Sequence, residues 1–230
     1  MAKALPEALG KNIKRVNVFL GALGSGKTTV VLNAAWQTAA SGKKTILVDL
    51  DVINPYFRAR MVGREFVGSG VKVICPPREM ALGDLPALPA AIRGALLSDG
   101  PVFFDVGGDS AGATVLGSYQ PYLPEADCCL FFIVNTRRPF TETPEQVVSA
   151  VRDVEDAARL KIDCLVNNTN LGLQTRIAHV EEGLKIVQAA AAELKVSVAF
   201  SSVREDLFET AKDIEGDILP VKMFLRPPWL

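Results

Sequence analysis

The residues between positions 21 and 28 combine glycines, a lysine and a hydroxyl at a fixed spacing. The stretch Gly21-Ala22-Leu23-Gly24-Ser25-Gly26-Lys27-Thr28 fits the pattern Gly-x-x-x-x-Gly-Lys-[Ser/Thr]. Glycines let backbone N–H groups turn inward around a phosphate, because no Cβ blocks the approach. The lysine can then bridge the β- and γ-phosphate oxygens, and the last hydroxyl can ligate Mg²⁺. The pattern predicts a nucleoside triphosphate site with magnesium, held by Gly24, Ser25, Gly26, Lys27, Thr28 and Thr29.

The segments on both sides of this loop are the ones that such a site needs. An apolar run, Val16 to Leu20, precedes it, and a helical pattern, Thr29 to Ala40, follows it. The positive end of the helix adds to the stabilisation of an anion at the loop. Lys27 is a candidate catalytic residue, because it would stabilise the phosphates. We expect it to be a partly exposed residue of the loop.

Acidic residues that could serve a phosphate site end two further predicted strands. Asp49 and Asp51 close Thr45 to Asp51, and Asp105 closes Val102 to Asp105 and runs into Gly107-Gly108. The carboxyl ends of parallel strands share one edge of a sheet, which is where ligands bind in open α/β folds. Asp105 and Thr28 are therefore the candidate metal residues, and Asp51 is the candidate catalytic acid. A strand-ending aspartate that only caps a turn is the alternative for each.

The elements that must position these residues alternate along the chain. Short β-branched or aromatic runs are separated by longer helical patterns, which predicts a doubly wound, mostly parallel sheet flanked by helices. One helix has a clear start, because Thr143 can cap it, Pro144 fits its first position and Gln146 completes a capping box; we predict it over 144–160. No repeat or linker divides the chain, so we predict a single nucleotide-binding domain over 1–230. The predicted strands are Arg15–Leu20, Thr45–Leu50, Val71–Cys75, Val102–Asp105, Cys128–Asn135, Ile162–Asn167 and Val196–Phe200.

Composition argues against several other classes of function. The chain has 25 basic and 26 acidic residues, so no net positive charge would hold it on nucleic acid or an anionic membrane. Four cysteines without Cys-x-x-Cys spacing and one histidine argue against a protein-only zinc or iron–sulfur site. Adjacent Cys128 and Cys129 are expected to face opposite sides of a buried strand as core residues. With no apolar run of membrane length, we expect a cytoplasmic protein.

Taken in order, these motifs resemble those of the ParA/MinD-like (CobQ/CobB/MinD/ParA, or SIMIBI) class of P-loop ATPases, from about Val16 to Phe208. Gly24-Ser25-Gly26-Lys27-Thr28-Thr29 is similar to the P-loop of the class, Asp49-Leu50-Asp51 to its switch-I acidic motif, and Asp105-Val106-Gly107-Gly108 to its Walker B and switch-II turn. The resemblance implies that Asp51 orients the attacking water and that Asp105 holds magnesium through water. The loop is also similar to those of signal-recognition-particle GTPases and small-molecule kinases.

The chain departs from this class at one position of the P-loop. Partition and septum-site ATPases carry a signature lysine that reaches the partner's phosphates in a nucleotide-sandwich dimer, and Ala22 stands at the matching position. We still expect a homodimer, but one in which that lysine does not reach the partner's phosphates. Two arginine pairs, Arg58 with Arg60 and Arg137 with Arg138, could replace its charge or bind an anionic substrate; ordinary surface arginines are the alternative.

The choice of nucleobase depends on the end of the predicted strand before Asn167. Guanine-specific relatives have Asn-Lys-x-Asp there, and this chain has Asn167-Asn168-Thr169-Asn170. An amide cannot offer the paired acceptors of the aspartate, which favours ATP over GTP. We predict that Asn167 contacts adenine and that Ser201-Ser202, taken as a turn after the last strand, forms a second wall. A turn-rich loop without a base contact is the alternative.

Together these observations predict a Mg-dependent ATP-binding protein and slow ATPase that acts as a nucleotide-state switch on a partner protein or on its own dimer. A kinase or ATP-dependent ligase that hands the γ-phosphate to a small molecule is one alternative. A nucleotide-binding assembly factor with negligible turnover is another.

Overall fold

The strands of the protein all belong to one sheet in the computed structural model, which describes residues 7–50, 68–75, 89–108 and 110–224. All of them except the last along the chain correspond to the short, apolar and β-branched runs from which strands are predicted. The strands are β1 Val16–Leu20, β2 Thr45–Leu50, β3 Val71–Ile74, β4 Val102–Val106, β5 Cys128–Val134, β6 Cys164–Asn167, β7 Ser197–Arg204 and β8 Ile218–Val221.

Helices connect most of these strands. The α-helices are α1 Glu7–Asn12, α2 Lys27–Ala40, α3 Ala90–Leu96, α4 Ser110–Ser118, α5 Pro144–Ala158 and α6 Ile177–Leu194. Short 3₁₀ segments span Gln120–Tyr122, Glu125–Asp127, Gly172–Gln174 and Glu205–Ala211. At the start of α5, Thr143 accepts a hydrogen bond from the Gln146 backbone and Gln146 bonds back to Thr143, so the predicted capping box is confirmed. No helix among the described residues is long and apolar enough to cross a membrane.

The order of the strands across the sheet is β3-β2-β4-β1-β5-β6-β7-β8, and every neighbouring pair is parallel. The predicted doubly wound parallel architecture is confirmed. From β1 the chain proceeds to one side of the sheet through β2 and β3, and after β4 it continues on the other side with β5. Strand β1 therefore lies where the strand order reverses, the place where open α/β sheets bind ligands at the carboxyl ends of their strands.

Two apolar layers cover the faces of the sheet, because alternate strand residues point to opposite sides. Val18 packs in the layer beneath α3, α4, α5 and α6, while Phe19 packs in the layer beneath α1 and α2. Cys128 and Cys129 divide in the same way, as expected for core residues on opposite faces. The Cys129 and Cys164 sulfur atoms lie 3.8 Å apart within the second layer.

The structure extends the predicted sheet at its carboxyl-terminal side. Strand β7 continues through Ser201 and Ser202 to Arg204, so placing this pair in a turn after the last strand is wrong. The serines are in register with Ile218 and Leu219 of β8, and this pairing keeps the polar segment extended. Strand β8 was not predicted. Its Pro220 is compatible with a strand because β8 lies at the edge of the sheet.

Candidate phosphate-binding site

The glycine-rich loop connects β1 to α2 at the carboxyl edge of the sheet. Gly26 is the N-cap residue of α2 with φ of 84°, a left-handed conformation that favours glycine. It has no side chain with which to cap the helix, so the first-turn amides are open to an external acceptor. This is the arrangement by which helix N-termini bind phosphate.

Lys27 lies in the first turn of α2 and is buried, with 5% of its surface exposed. The expectation of a partly exposed lysine is wrong, because the turn after β4 packs against it. A Cβ placed on Gly108 would lie 2.6 Å from Lys27 Nζ and 3.0 Å from the Leu23 backbone nitrogen. Because Gly108 has no side chain, the turn after β4, which resembles a switch-II turn in sequence, lies directly against the phosphate loop.

The candidate acid Asp105 lies next to the base of the loop. Strand register places Asp105 opposite Phe19 of β1, two residues before Gly21, and opposite Asp49 of β2. Asp105 is fully buried and Asp49 is 5% exposed. The candidate water-orienting acid Asp51 lies outside the described residues.

Ser25 and Thr28 contribute polar atoms to the same loop, and both residues are buried. The Ser25 hydroxyl is buried and has no hydrogen-bond partner among the described residues. The Ser25 carbonyl accepts a hydrogen bond of 2.6 Å from Asn168 Nδ2. One carbonyl of the loop is therefore bonded to the segment after β6, and the Ser25 hydroxyl can serve a ligand.

A cavity of about 120 Å³ opens beside the loop. Its floor is formed by the phosphate loop and the first turn of α2, and its walls by the segments that follow β5, β6 and β8 and by the end of β7. The cavity adjoins the first helical turn, on the side where a nucleotide bound at the loop would continue, and it is smaller than the range of about 300–1,000 Å³ typical of ligand pockets. Its lining includes Gly24, Gly26, Thr29, Arg138, Asn168 and Asn170.

Asn167, the residue predicted to contact adenine, is not among the residues that line this cavity. It is fully buried at the end of β6. Its Nδ2 donates to the Val180 carbonyl at 3.0 Å and to the Ser201 hydroxyl at 3.1 Å, which uses both amide hydrogens. Its Oδ1 accepts from the Thr169 backbone at 3.2 Å. A contact between Asn167 and a base stays a prediction, and a contact in which Asn167 donates would have to replace one of the two amide bonds.

Asn170 does line the cavity. Its Nδ2 donates to the Asn168 carbonyl at 2.7 Å, and its Oδ1 accepts from the Gly172 backbone at 3.2 Å. Within the described part of the chain, this leaves one amide hydrogen and one oxygen lone pair for a further partner. Asn170 is thus placed to offer a donor and an acceptor together.

The two arginines after β5 have different surroundings. Arg138 lines the cavity, and its Nε donates to the Gly24 carbonyl at 3.2 Å. Arg137 instead pairs with Glu182 of α6. The other arginine pair, Arg58 and Arg60, lies outside the described residues.

The most informative residue that sequence reasoning missed is Asn168. The polar run Asn167 to Asn170 after a buried strand was noticed, but only as a base-binding segment or a turn. The contact from Asn168 to Ser25 joins residues 143 positions apart, so no local pattern could show it. Ser202, which bonds to Asn168, was noticed only as a cavity wall, and it does line the cavity.

These residues fit a nucleoside triphosphate with magnesium. An uncapped helix start, a buried lysine and a buried serine hydroxyl without a partner among the described residues all lie in the loop or in the first turn of α2. A phosphate anion satisfies each of them, since all are donors or positive charges. Thr28 and Asp105 supply oxygen atoms, the ligand type that Mg²⁺ prefers.

Comparisons with known proteins identify relatives by structure only. No family model and no curated protein matches the chain. The fold is similar to that of the signal recognition particle 54 kDa protein from Aeropyrum pernix K1, solved in complex with GDP, with a TM-score of 0.58, 16% identity, and coverage of 83% of this chain and 41% of that one. It is also similar to cell division protein FtsY from Thermotoga maritima, with a TM-score of 0.60, 16% identity, and coverage of 88% and 65%.

A third similar structure is the signal recognition particle receptor FtsY from Elizabethkingia anophelis, with a TM-score of 0.54, 17% identity, and coverage of 84% of this chain and 58% of that one. The chain thus spans between 41% and 65% of the length of these three proteins. At such identities the likeness concerns the fold and not the activity. The eight-stranded parallel sheet, the loop after β1 and these neighbours together show that the chain has the P-loop NTPase fold.

Proposed function

We propose that this chain is a Mg-dependent ATP-binding protein that hydrolyses ATP slowly and acts as a nucleotide-state switch. The observation that carries the proposal is the contact between the turn after β4 and the phosphate loop, with Gly108 beside Lys27 and Leu23. A γ-phosphate bound by Lys27 has to share this space with Gly108. Binding and loss of the γ-phosphate would therefore move the turn, which leads into α4.

The proposed metal and water chemistry uses three residues. The Thr28 hydroxyl would ligate Mg²⁺, and Asp105 would hold the metal through water, as the class that this sequence resembles implies. Bound Mg²⁺ would neutralise charge on the phosphates. Asp51 would orient the attacking water, and this assignment rests on the sequence alone.

The proposal of ATP as the nucleotide rests on Asn170. Guanine presents two donors at its N1 and N2 edge and needs two acceptors, whereas adenine presents a donor and an acceptor, which match an amide. Asn170 lines the cavity and has one of each to offer. The solved complex of the similar Aeropyrum pernix protein contains GDP, so GTP is the competing nucleotide to be tested.

The site has features that suit a partner at its outer edge. Leu23 in the phosphate loop is 72% exposed, and Phe140 in the loop after β5 is 80% exposed. Large apolar side chains exposed beside a ligand site commonly mark an interaction surface. We propose that a partner protein or a second copy of this chain covers this edge in the ATP-bound state, as in the ParA/MinD-like class. Ala22 stands at the position of the signature lysine. Activation of ATP hydrolysis by the partner would therefore not depend on a lysine at this position.

Measurements of binding and phosphate release test this function directly. Titration calorimetry with ATP, ADP and GTP, with and without Mg²⁺, should show Mg-dependent ATP binding. Phosphate release from ATP should be slow and should increase with a partner. A γ-phosphate recovered on an added metabolite would instead establish a kinase, and absence of nucleotide binding would refute the proposal.

A further inference from the structure

We propose that Arg138 binds the phosphate of the nucleotide that lies nearest the nucleoside, where the phosphate loop meets the cavity. The inference rests on the proposed function, because it adds a residue to the same nucleotide site. Of the two arginines after β5 it selects one, and it names the group that this arginine binds.

The charge of the cavity comes from arginines alone. Of the residues that line it, Arg138 and Arg204 are charged, and none is acidic. Arg204 is neutralised, because it forms an ion pair with Asp206. Arg138 forms no ion pair within the described part of the chain. The cavity therefore carries one uncompensated positive charge, which favours an anionic group of a ligand.

The Arg138 side chain lies on the rim of the phosphate loop. Its Nε donates to the Gly24 carbonyl at 3.2 Å. A Cβ on Gly24 would lie 3.6 Å from Nε and 3.7 Å from Cδ, so the side chain packs across this glycine. The two terminal nitrogens of the guanidinium group have no partner among the described residues. They keep their N–H donors for a ligand that extends from the loop into the cavity.

Buried residues fix the backbone that carries Arg138. Asn135 and Thr141 are each 1% exposed. The Arg138 backbone nitrogen donates to the Asn135 carbonyl at 3.1 Å. The Thr141 hydroxyl lies 2.8 Å from the Asn135 carbonyl and 3.1 Å from the Arg138 carbonyl. These bonds close a turn at the end of β5, so the arginine is positioned before a ligand binds, which lowers the entropic cost of binding.

The adjacent Arg137 has different contacts. It pairs with Glu182 of α6, and it is not among the residues that line the cavity. The two arginines carry the same charge one position apart in the chain, but only Arg138 contacts the phosphate loop. Arg137 is therefore a matched control for a general effect of positive charge near the site.

The position of Arg138 predicts which ligands depend on it. Arg138 lies between the loop and the cavity, where the phosphate attached to the nucleoside would pass. ATP, ADP and GTP all carry this phosphate, so loss of the arginine should weaken all three by the same factor. A contact with the γ-phosphate would weaken ATP and GTP but not ADP. A contact with the base would change the ratio of ATP to GTP affinity.

The test compares Arg138→Gln and Arg138→Lys with the control Arg137→Gln. Calorimetry should show that Arg138→Gln lowers the affinities for ATP, ADP and GTP by about tenfold or more, the size expected for one charge-assisted hydrogen bond. Arg138→Lys should show a smaller loss, again equal for the three nucleotides, because lysine keeps the charge but not the planar fork of donors. Arg137→Gln should bind like the wild type. Melting temperatures show that each variant is folded.

Three results would overturn the inference. They are unchanged affinities in Arg138→Gln, a loss that differs among the three nucleotides, and equal losses in Arg138→Gln and Arg137→Gln. Each leaves the proposed function standing, because the wild-type protein still binds nucleotide. If Arg138→Gln does not fold, Arg138→Lys against Arg137→Gln decides by the same criteria. A wild-type protein that binds none of the three nucleotides refutes the proposed function, and the inference with it.

Discussion

At the scale of single residues, the site uses a buried positive charge at the start of a helix. Lys27 is 5% exposed, and burying a charge is costly unless an opposite charge is supplied. In the proposed site the ligand supplies it. A residue placed for the bound state in this way contributes to affinity and not to the stability of the ligand-free fold.

The variant Lys27→Ala tests whether Lys27 contributes to nucleotide affinity and not to the stability of the ligand-free fold. The variant loses charge-assisted hydrogen bonds to phosphate, about 1.5–3 kcal/mol each, so ATP binding should fall below detection in calorimetry. The melting temperature without ligand should stay the same or rise, because a buried charge has been removed. Lys43→Ala, at an exposed position, is the control and should bind normally. Unchanged ATP affinity in folded Lys27→Ala would contradict the site.

The two candidate acids should separate binding from chemistry. Asp51→Ala should keep ATP affinity near the wild-type value while turnover falls by roughly a hundredfold, the contribution of a positioned acid–base group. Asp105→Ala should also lose Mg-dependent affinity, because its proposed role is in the metal shell. Affinity, turnover and melting temperature are measured on both. Full activity of Asp51→Ala would end its catalytic assignment.

The nucleobase preference is a further property of single residues. The wild-type protein should bind ATP at least about tenfold better than GTP. Asn170→Asp should shift the preference toward GTP, because a carboxylate offers the two acceptors that guanine needs. Competition titrations of both nucleotides on both proteins measure this. A wild-type preference for GTP would contradict the proposal that ATP is the nucleotide.

At the scale of elements, helix α5 begins at a capping box that does not involve the nucleotide. Thr143 caps it, and Gln146 bonds back to the cap. Thr143→Ala should lower the free energy of unfolding by about 1 kcal/mol in urea denaturation and leave ATP affinity unchanged. Thr114→Ala is the control: Thr114 is exposed in α4, its hydroxyl bonds only within that helix, and its removal should have less than half this effect. Equal losses in both would contradict the capping role.

Elements with a contiguous signal could be predicted from the sequence, and elements that depend on distant partners could not. The phosphate loop, its flanking strand and helix, and α5 each carry their pattern within fewer than twenty residues. Strand β8 contains Pro220 and exists because its neighbour β7 pairs with it. The burial of Lys27 depends on Gly108, about eighty residues later in the chain, and the Ser25 carbonyl is bonded to Asn168, 143 positions away.

At the scale of the whole molecule, the sheet places every described candidate residue at one edge or directly beside it. Strand β1 lies between β4 and β5, so the loop that follows it meets the turn after β4 on one side and the loop after β5 on the other. Gly108 and Arg138 are the contacts from these two sides. A change at the phosphate loop can therefore reach segments on both halves of the sheet.

The four cysteines differ in burial, so the reaction of their thiols with a reagent can measure unfolding of the protein. Cys75 is exposed, whereas Cys128, Cys129 and Cys164 are buried. Burial raises the pKa of Cys128 to about 12, and the hydrogen bond between Cys164 and Cys129, together with burial, raises the pKa of Cys164. Because the thiolate is the nucleophile, the buried thiols should react only when the sheet opens.

A thiol reagent followed by mass spectrometry should thus add one label quickly in native buffer and four in denaturant. The slow appearance of the last three labels measures global unfolding without an engineered probe. Mg·ATP should slow it further, because a ligand that binds only the folded state reduces the open population. Rapid labelling of all four thiols in native buffer would show that the core around β5 and β6 is not closed.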